Sequence, residues 1–132
     1  QTDSQGGVIA AAADLNLEVH VFWTLMKGLL AGKIGRDHRF QEGDSRPGYD
    51  IFRGEKRDQA HRLLDRLHQI ANESPYTVPQ LSIGWALARE HVCTAVVGAR
   101  RPDQVDDVIG QMALDSATLE RIDVARKDVG LF

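Results

Sequence analysis

Two short strand patterns separated by helical segments constrain the fold of this chain more than any other feature of its sequence. Residues 17–23 (LEVHVFW) alternate in polarity, which is typical of a strand. Residues 92–99 (VCTAVVGA) form an apolar run typical of a buried strand. Because helices lie between them, the two strands are predicted to run parallel. Two strands cannot close a parallel barrel, so the sequence predicts an α/β fold that is incomplete in extent.

Most of the remaining chain has helical patterns. The predicted helices span residues 6–16, 55 to the residue before Pro75, 79–91, 102 to about 112, and 116 to about 127. Thr77 is predicted to cap the third helix, with Pro79 in its first turn, and Ser116 to cap the last. Residues 24–35 predict a turn with little periodicity. Residues 36–54 predict a long polar loop, which in a compact domain is usually functional or disordered.

Composition disfavours several classes of function. The 132 residues are 42% hydrophobic and 27% charged, as in globular proteins. The net charge of −3 gives no reason to expect nucleic acid or an anionic membrane as a partner. No apolar run approaches the roughly 20 residues of a transmembrane helix. No signal peptide is visible, so a cytoplasmic location is expected. Because residue 1 is Gln, the chain is expected to be a processed product or a piece of a longer one.

Single residues with reactive side chains give weaker signals. The lone cysteine, Cys93, is predicted to be a buried, unreactive thiol. His20 is predicted to be a core histidine in preference to a site residue, and Trp85 a core residue in preference to a cofactor contact. The other histidines lack the spacing of a metal site. No catalytic residue and no metal ligand is predicted.

The segments that follow the two strands are the candidate ligand site, because ligands of α/β folds bind at the carboxyl ends of strands. In GARRPDQ, the second strand ends at Gly98 and a helix is predicted from Pro102. The free N–H groups of that helix, together with Arg100 and Arg101, suit phosphate oxygens. The alternative is an ordinary pair of solvated arginines beside a helix start.

Three motifs in order resemble one family. FWTLMKGLLAGK is similar to the aldo-keto reductase pattern YSPLxxGLLTGK. FQEGDSRPGYDIFRGE is similar to a polar loop of many bacterial members. TVPQLSIGWALAREHVCTAVVGARRPDQVDD, followed by SATLERID, resembles the C-terminal run of helix, last barrel strand, cofactor loop and closing helix.

The resemblance implies a partial TIM (β/α)8 barrel of about the last two to three βα units. The two strands would be the seventh and eighth, and Gln1 the tail of the sixth. Residues 1–132 would then form an incomplete domain. The family reduces carbonyls with NADPH, but its catalytic Asp, Tyr, Lys and His lie on the N-terminal half. Their motifs are absent from this sequence, so the chain alone is expected to be inactive.

The resemblance also implies half of a cofactor site for NADP. Phe22 would stack on the nicotinamide. The loop along the pyrophosphate would comprise Trp23, Thr24, Leu25, Met26 and Lys27. Basic positions in the loop over the cofactor would be Lys33 and Arg46. The loop around the adenosine 2′-phosphate and adenine would contain Gly98, Arg100, Gln104 and, near the adenine, Asp107.

Three positions depart from the family pattern. Trp23 and Thr24 stand where Ser and Pro are usual, and Val108 stands where an Asn usually contacts the adenine. The segment before Leu17 also matches poorly.

Two functions from different classes follow from the sequence. The first is the C-terminal, phosphate-binding part of an NADPH-dependent aldo-keto reductase, whose complete barrel binds NADP(H) and a small carbonyl substrate. The alternative is a non-catalytic nucleotide-binding or assembly module, which self-associates through exposed barrel edges.

Overall fold

The computed structural model describes residues 2–110 and 113–131. The elements in chain order are α1 (Thr2–Asp14), β1 (Val19–Phe22), α2 (Gly54–Asn72), α3 (Val78–Leu87), β2 (Val92–Val96), α4 (Pro102–Val108) and α5 (Ser116–Val129). Short 3-10 helices lie between β1 and α2 at Met26–Ala31, Arg46–Gly48 and Asp50–Phe52. Within the described ranges, no helix is both long and apolar enough to cross a membrane.

The predicted parallel pairing of the two strands is confirmed. β1 and β2 form a two-stranded parallel sheet in which Phe22 is paired with Val96, and an irregularity in register lies beside Val19. Because parallel strands point the same way, the segments that follow β1 and β2 both leave from one edge of the sheet. The α/β class is thus confirmed, with two strands in the described part of the chain.

The core lies on the helical side of the molecule. Its buried apolar residues come from α2, α3, α5 and the segment after β1, and include Leu29, Leu30, Ile34, Phe52, Leu63, Leu64, Leu67, Leu81 and Ile122. The apolar stripe of α2 therefore packs inward, as its helical spacing predicts. The long polar loop joins this core through Phe52, while Arg57 of α2 donates hydrogen bonds to the carbonyls of Gly35 and His38.

Helix boundaries and caps differ from the prediction in detail. Thr77 does cap α3, where its hydroxyl accepts from the N–H of Gln80 and the Gln80 side chain accepts from the N–H of Thr77. The cap of α5 is Asp115 instead of Ser116, because the Asp115 carboxylate accepts from the Thr118 N–H at 2.8 Å. Both types of side chain can cap a helix, so composition does not choose between neighbouring positions.

Other boundaries move by several residues. α1 begins at Thr2, before the alanine-rich stretch, and α3 ends at Leu87, short of residue 91. α4 ends at Val108. The expected end of that helix at Met112, and the assignment of Gln1 to a strand, lie outside the described residues.

The prediction of a fully buried second strand is wrong. In β2 only Val92 is buried, and Val96 is 57% exposed. Cys93 is exposed, and His20 of β1 is also exposed, 3.6 Å from the Glu18 carboxylate. A parallel strand is buried when strands flank it and layers cover both faces. Among the described residues β2 pairs with β1 alone, so its apolar side chains reach solvent.

Candidate functional site

The carboxyl end of β1 presents two large aromatic side chains. Phe22 is 71% exposed and Trp23 is about half exposed. Their rings lie 5.9 Å apart, edge to face. Exposed aromatic surface of this size at a strand end is suited to stacking against a planar ligand.

The turn after β1 is tightly wound. Trp23, Met26 and Lys27 all have positive φ, at 62°, 48° and 54°, which places them in the left-handed region that non-glycine residues rarely adopt. Gly28 continues the turn with φ of 93°. The N–H of Met26 donates to the carbonyl of Trp23 at 2.7 Å, which closes the turn. Such strain persists where the surrounding structure holds it in place, and it is concentrated at functional sites.

The side chains inside this turn do different work. Leu25 and Met26 pack against the core, so they anchor the turn and offer a ligand mainly their backbone. The Thr24 hydroxyl is buried and has no hydrogen-bond partner among the described residues. An orphaned buried hydroxyl is uncommon and calls for an explanation. The turn thus contains a polar group that a ligand could satisfy.

Lys27 lies against two aromatic rings. Its Nζ atom is 4.1 Å from the centroid of the Trp23 ring and 4.2 Å from that of Tyr49. The two rings are 5.2 Å apart and nearly perpendicular, so the ammonium occupies the corner between them. Within the described chain this ammonium has no acidic partner, so its charge is available at the strand end.

Lys33 and Asp107 come together although they are far apart in sequence. The Lys33 ammonium donates to the Asp107 carboxylate at 2.8 Å and lies 3.7 Å from that of Asp103. The contact joins the segment after β1 to α4, which follows β2. Two predicted site residues are therefore neighbours, and the charge of Lys33 is already matched by acidic groups.

The two arginines after β2 have different surroundings. Arg101 forms a bidentate pair with Asp103, at 2.9 and 2.8 Å, which raises the pKa of Arg101 and lowers that of Asp103 to about 2. Arg100 is exposed, and its backbone N–H donates to the Gln104 side chain at 2.7 Å. The Arg100 guanidinium has no acidic partner in the described residues. Of the pair, Arg100 is the cation available to an anion.

Arg46 is not a free cation. Its Nε atom donates to both oxygens of the Asp44 carboxylate at 3.0 Å, and its guanidinium lies 4.9 Å from the centroid of the Phe40 ring. These hydrogen bonds lower the pKa of Asp44 to about 2 and raise that of Arg46. Arg46 borders a cavity of about 240 Å³ shared with His38 and Arg39. Its observed role is to brace the loop.

A larger cavity of about 460 Å³ adjoins the Lys33–Asp107 pair. Besides that pair it is lined by the end of α2 and the start of α3, including His68, Tyr76 and Thr77. Thr77 donates to the carbonyl of Asp107, which ties the start of α3 to α4. Sequence reasoning missed these lining residues because the helical pattern that places them carries no sign of a cavity.

The described residues contain no cluster of His, Cys, Asp and Glu that could hold a metal ion. The candidate site consists of exposed aromatic surface, a strained turn and two cations at one edge of the sheet. The cations are Lys27 and Arg100, which have no acidic partner among the described residues. Such groups can bind a planar and anionic ligand. They do not form a nucleophile paired with a base.

Both the sequence and the fold of this chain resemble those of known proteins. The model of the aldo/keto reductase family matches residues 1–127. The NADH-specific methylglyoxal reductase of Escherichia coli (strain K12) is 27% identical over 112 residues, which cover 82% of this chain and 34% of that protein. The structure of a glycerol dehydrogenase from Gluconobacter oxydans matches with a TM-score of 0.84 and 25% identity, over 98% of this chain and 40% of that one. The chain thus spans well under half the length of these two proteins.

Proposed function

Because this chain belongs to the aldo/keto reductase family, we propose that it forms part of a reductase that uses a nicotinamide dinucleotide to reduce an aldehyde or ketone. The observation that carries the proposal is the pairing of Phe22 with Val96 in a parallel sheet. This pairing makes the turn after β1 and the loop after β2 leave from the same edge, where ligands of α/β folds bind.

The proposal places β1 and β2 as the seventh and eighth strands of a (β/α)8 barrel, and residues 1–132 as an incomplete domain of about its last two to three βα units. This placement is supported by two parallel strands that each have a free edge in the described residues, and by the match to 40% of a longer chain. The whole barrel would then position the nicotinamide against a small carbonyl substrate.

In this arrangement Phe22 offers its exposed ring to the nicotinamide. The turn from Trp23 to Lys27 would lie along the pyrophosphate, where the Thr24 hydroxyl would gain a partner and the Lys27 ammonium would donate to phosphate oxygens. The bound dinucleotide supplies the hydride, and the residues of this chain bind and orient it.

The adenosine end is assigned to the loop after β2. Gly98 allows close approach of the backbone. Arg100 would contact the 2′-phosphate and Asp107 would lie near the adenine. Gln104 holds the Arg100 backbone, and Asp107 is already joined to Lys33. Val108 cannot hydrogen-bond the adenine, which lowers the affinity this loop can reach.

We expect the chain to bind NADPH in preference to NADH, because the Arg100 guanidinium has no acidic partner among the described residues. The name of the methylglyoxal reductase specifies NADH for that protein, so the preference needs a direct test. We expect Arg100→Ala to weaken NADP⁺ binding, followed by the fluorescence of Trp23 in a Trp85→Phe background, by roughly 1–3 kcal/mol. Arg101→Ala is the matched control, since Asp103 already occupies that guanidinium. Equal effects of the two substitutions on NADP⁺ binding would leave Arg100 as surface charge.

Catalysis is a separate part of the proposal. No residue of this chain is assigned the role of proton donor, so the purified chain is expected to show no turnover. Measurable NADPH-dependent reduction of an aromatic aldehyde by the 132-residue chain would contradict this.

A second candidate, a non-catalytic nucleotide-binding or assembly module, is favoured by the exposed sheet. Phe22 and Val96 are largely exposed, and both strands have a free edge in the described residues. Free edges are templates for pairing with another chain. Light scattering is expected to detect self-association; a stable monomer with a cooperative melt would count against this candidate.

A further inference from the structure

Lys27 sits in what we call the aromatic corner, the space between the rings of Trp23 and Tyr49. We propose that Trp23 and Tyr49 are positioning residues, which hold the Lys27 ammonium at the carboxyl end of β1 as a prearranged contact for phosphate oxygens. This inference rests on the proposed function, since the phosphates are those of the nicotinamide dinucleotide.

The aromatic corner holds the charge of Lys27 without neutralising it. The Nζ atom lies 4.1 and 4.2 Å from the two ring centroids, within the range of cation–π attraction. Other lysines near this site use acidic partners: Lys33 pairs with Asp107, and Lys56 with Asp50. Lys27 has no such partner in the described chain, so N–H groups that do not point at the rings can donate to an anion.

The backbone is shaped to bring Lys27 over the ring of Trp23. Positive φ at Trp23, Met26 and Lys27 winds the turn back on itself. The 3-10 helix that follows is anchored by Leu29 and Leu30, which are buried in the core. A left-handed conformation costs free energy at residues other than glycine, so the turn needs stabilising contacts. The aromatic corner is one of them.

Tyr49 comes from a different and firmly attached segment. The loop that carries it is held by Phe52, which is buried in the core and lies 5.3 Å from the ring of Phe40, edge to face. Arg57 donates to the carbonyls of Gly35 and His38, at the start of the same loop. The second wall of the corner is therefore fixed by the core, and not by the turn that it supports.

Prearrangement of a lysine strengthens anion binding for an entropic reason. A free lysine side chain loses much rotamer freedom when it binds a phosphate. In the aromatic corner, part of that freedom is lost before the anion arrives. Removal of one ring should therefore weaken anion binding while the lysine itself is still present.

The test uses the 132-residue chain and inorganic pyrophosphate as the probe, with binding measured by calorimetry. Tyr49→Leu is expected to weaken binding roughly two- to fivefold, because the lysine side chain then has more rotamer freedom to lose when the anion binds. Tyr49→Phe keeps the ring and is expected to restore wild-type binding. Lys27→Met is expected to weaken binding at least as much as Tyr49→Leu. Trp23→Leu and Trp23→Phe repeat the comparison from the other wall, in case Tyr49→Leu does not fold.

A spectroscopic signature separates positioning from a loss of structure. Protons on the Lys27 Cε atom lie near two ring faces, so their NMR resonances should be shifted upfield in the wild type and in Tyr49→Phe. In Tyr49→Leu they should move toward the ordinary lysine position, while circular dichroism shows an intact fold.

The outcomes distinguish this inference from the function on which it rests. If Lys27→Met weakens pyrophosphate binding but the folded Tyr49→Leu and Trp23→Leu variants bind like the wild type, the positioning role is wrong and the phosphate site stands. If the wild-type chain binds neither pyrophosphate nor NADP⁺, the phosphate site is wrong and the positioning role falls with it.

Discussion

The helical side of this molecule and its two-stranded sheet differ in how far their apolar side chains are buried. On the helical side Leu29 and Leu81 are fully buried. On the sheet Phe22 is 71% exposed and Val96 57% exposed. The core residues of α2, α3 and α5 thus pack within the chain, whereas β1 and β2 have no further strand beside them in the described residues. The difference indicates that stability resides mainly in the helices, and that the sheet edge is available to ligands or to other strands.

Two clusters of aromatic and cationic side chains repeat this contrast. On the helical side the guanidinium groups of Arg89 and Arg126 lie 4.5 and 4.6 Å from the Trp85 ring, and the Trp85 N–H donates to the Asp123 carboxylate at 2.8 Å. The Asp123 carboxylate lies 3.8 Å from both guanidinium groups, so it offsets part of their charge, and its hydrogen bond to Trp85 links α3 to α5. At the strand end, Lys27 lies against two aromatic rings and has no acidic partner among the described residues. The first cluster joins two helices, whereas the second leaves the Lys27 ammonium available to an anion.

The largest effect should come from the helical core. Leu81→Ala is expected to lower the free energy of unfolding by about 2–5 kcal/mol, because it opens a cavity among fully packed side chains. Val96→Ala, on the sheet, should change it by under about 0.5 kcal/mol. Urea denaturation followed by circular dichroism measures both. Equal losses would contradict this difference between the core and the sheet, and would indicate that the sheet is covered, for instance by a second copy of the chain.

The cap of α5 gives the next effect. Asp115→Ala is expected to cost about 1 kcal/mol, since it removes the acceptor for the Thr118 N–H. Ser116→Ala should be close to neutral, because Ser116 is exposed and the cap is Asp115. The same denaturation series checks the pair, and a larger loss from Ser116→Ala would restore the cap expected from the sequence.

Acid should weaken the helical side through His61. This residue of α2 is buried, its Nε2 atom has no hydrogen-bond partner among the described residues, and burial is the largest cause that lowers its pKa, followed by Arg36 and Arg57. The folded state then binds fewer protons than the unfolded state. Stability should therefore be unaffected at neutral pH and should fall once the pH drops below the unfolded value of about 6.5. Urea midpoints at pH 7.5 and 5.5 should differ less in His61→Leu than in the wild type; an equal difference in both would exclude His61 as the cause.

The smallest effect on stability should come from the Lys33–Asp107 pair. Both side chains are nearly half exposed, and exposed ion pairs contribute under about 1 kcal/mol. Lys33→Met should therefore leave the free energy of unfolding almost unchanged. It should weaken NADP⁺ binding, because it removes a basic side chain from the loop expected over the cofactor. A large loss of stability together with unchanged NADP⁺ binding would indicate that this pair stabilises the fold and has no part in binding the cofactor.

Local sequence patterns predicted the helical framework well. Apolar spacing identified the buried face of α2, and Thr77 with Pro79 identified the start of α3, because hydrophobic periodicity and capping act within a few residues. The family resemblance is confirmed. α3 ends at Leu87 instead of at residue 91, since helix ends depend on tertiary contacts as well as on propensity.

Burial on the sheet could not be predicted in the same way. The apolar run at 92–99 is typical of an interior strand, yet Cys93 and Val96 are exposed. An apolar run indicates which side chains can be buried, but they are buried only where neighbouring strands cover them. The contacts of charged residues were equally hidden: Arg46 binds Asp44, Arg101 binds Asp103, and Arg100 is left without an acidic partner in the described residues.

The parallel α/β order, the helical core and the family can be read from the amino-acid sequence, because they depend on periodicity, capping and motifs that are local in the chain. The position of Lys27 between Trp23 and Tyr49, and the contact of Lys33 with Asp107, are visible only in the folded chain. The Lys27–Tyr49 and Lys33–Asp107 contacts join segments that are separated in the sequence. Distance in space, and not separation in sequence, sets the strength of an electrostatic contact, so the charges that remain available to a ligand emerge only from the folded chain.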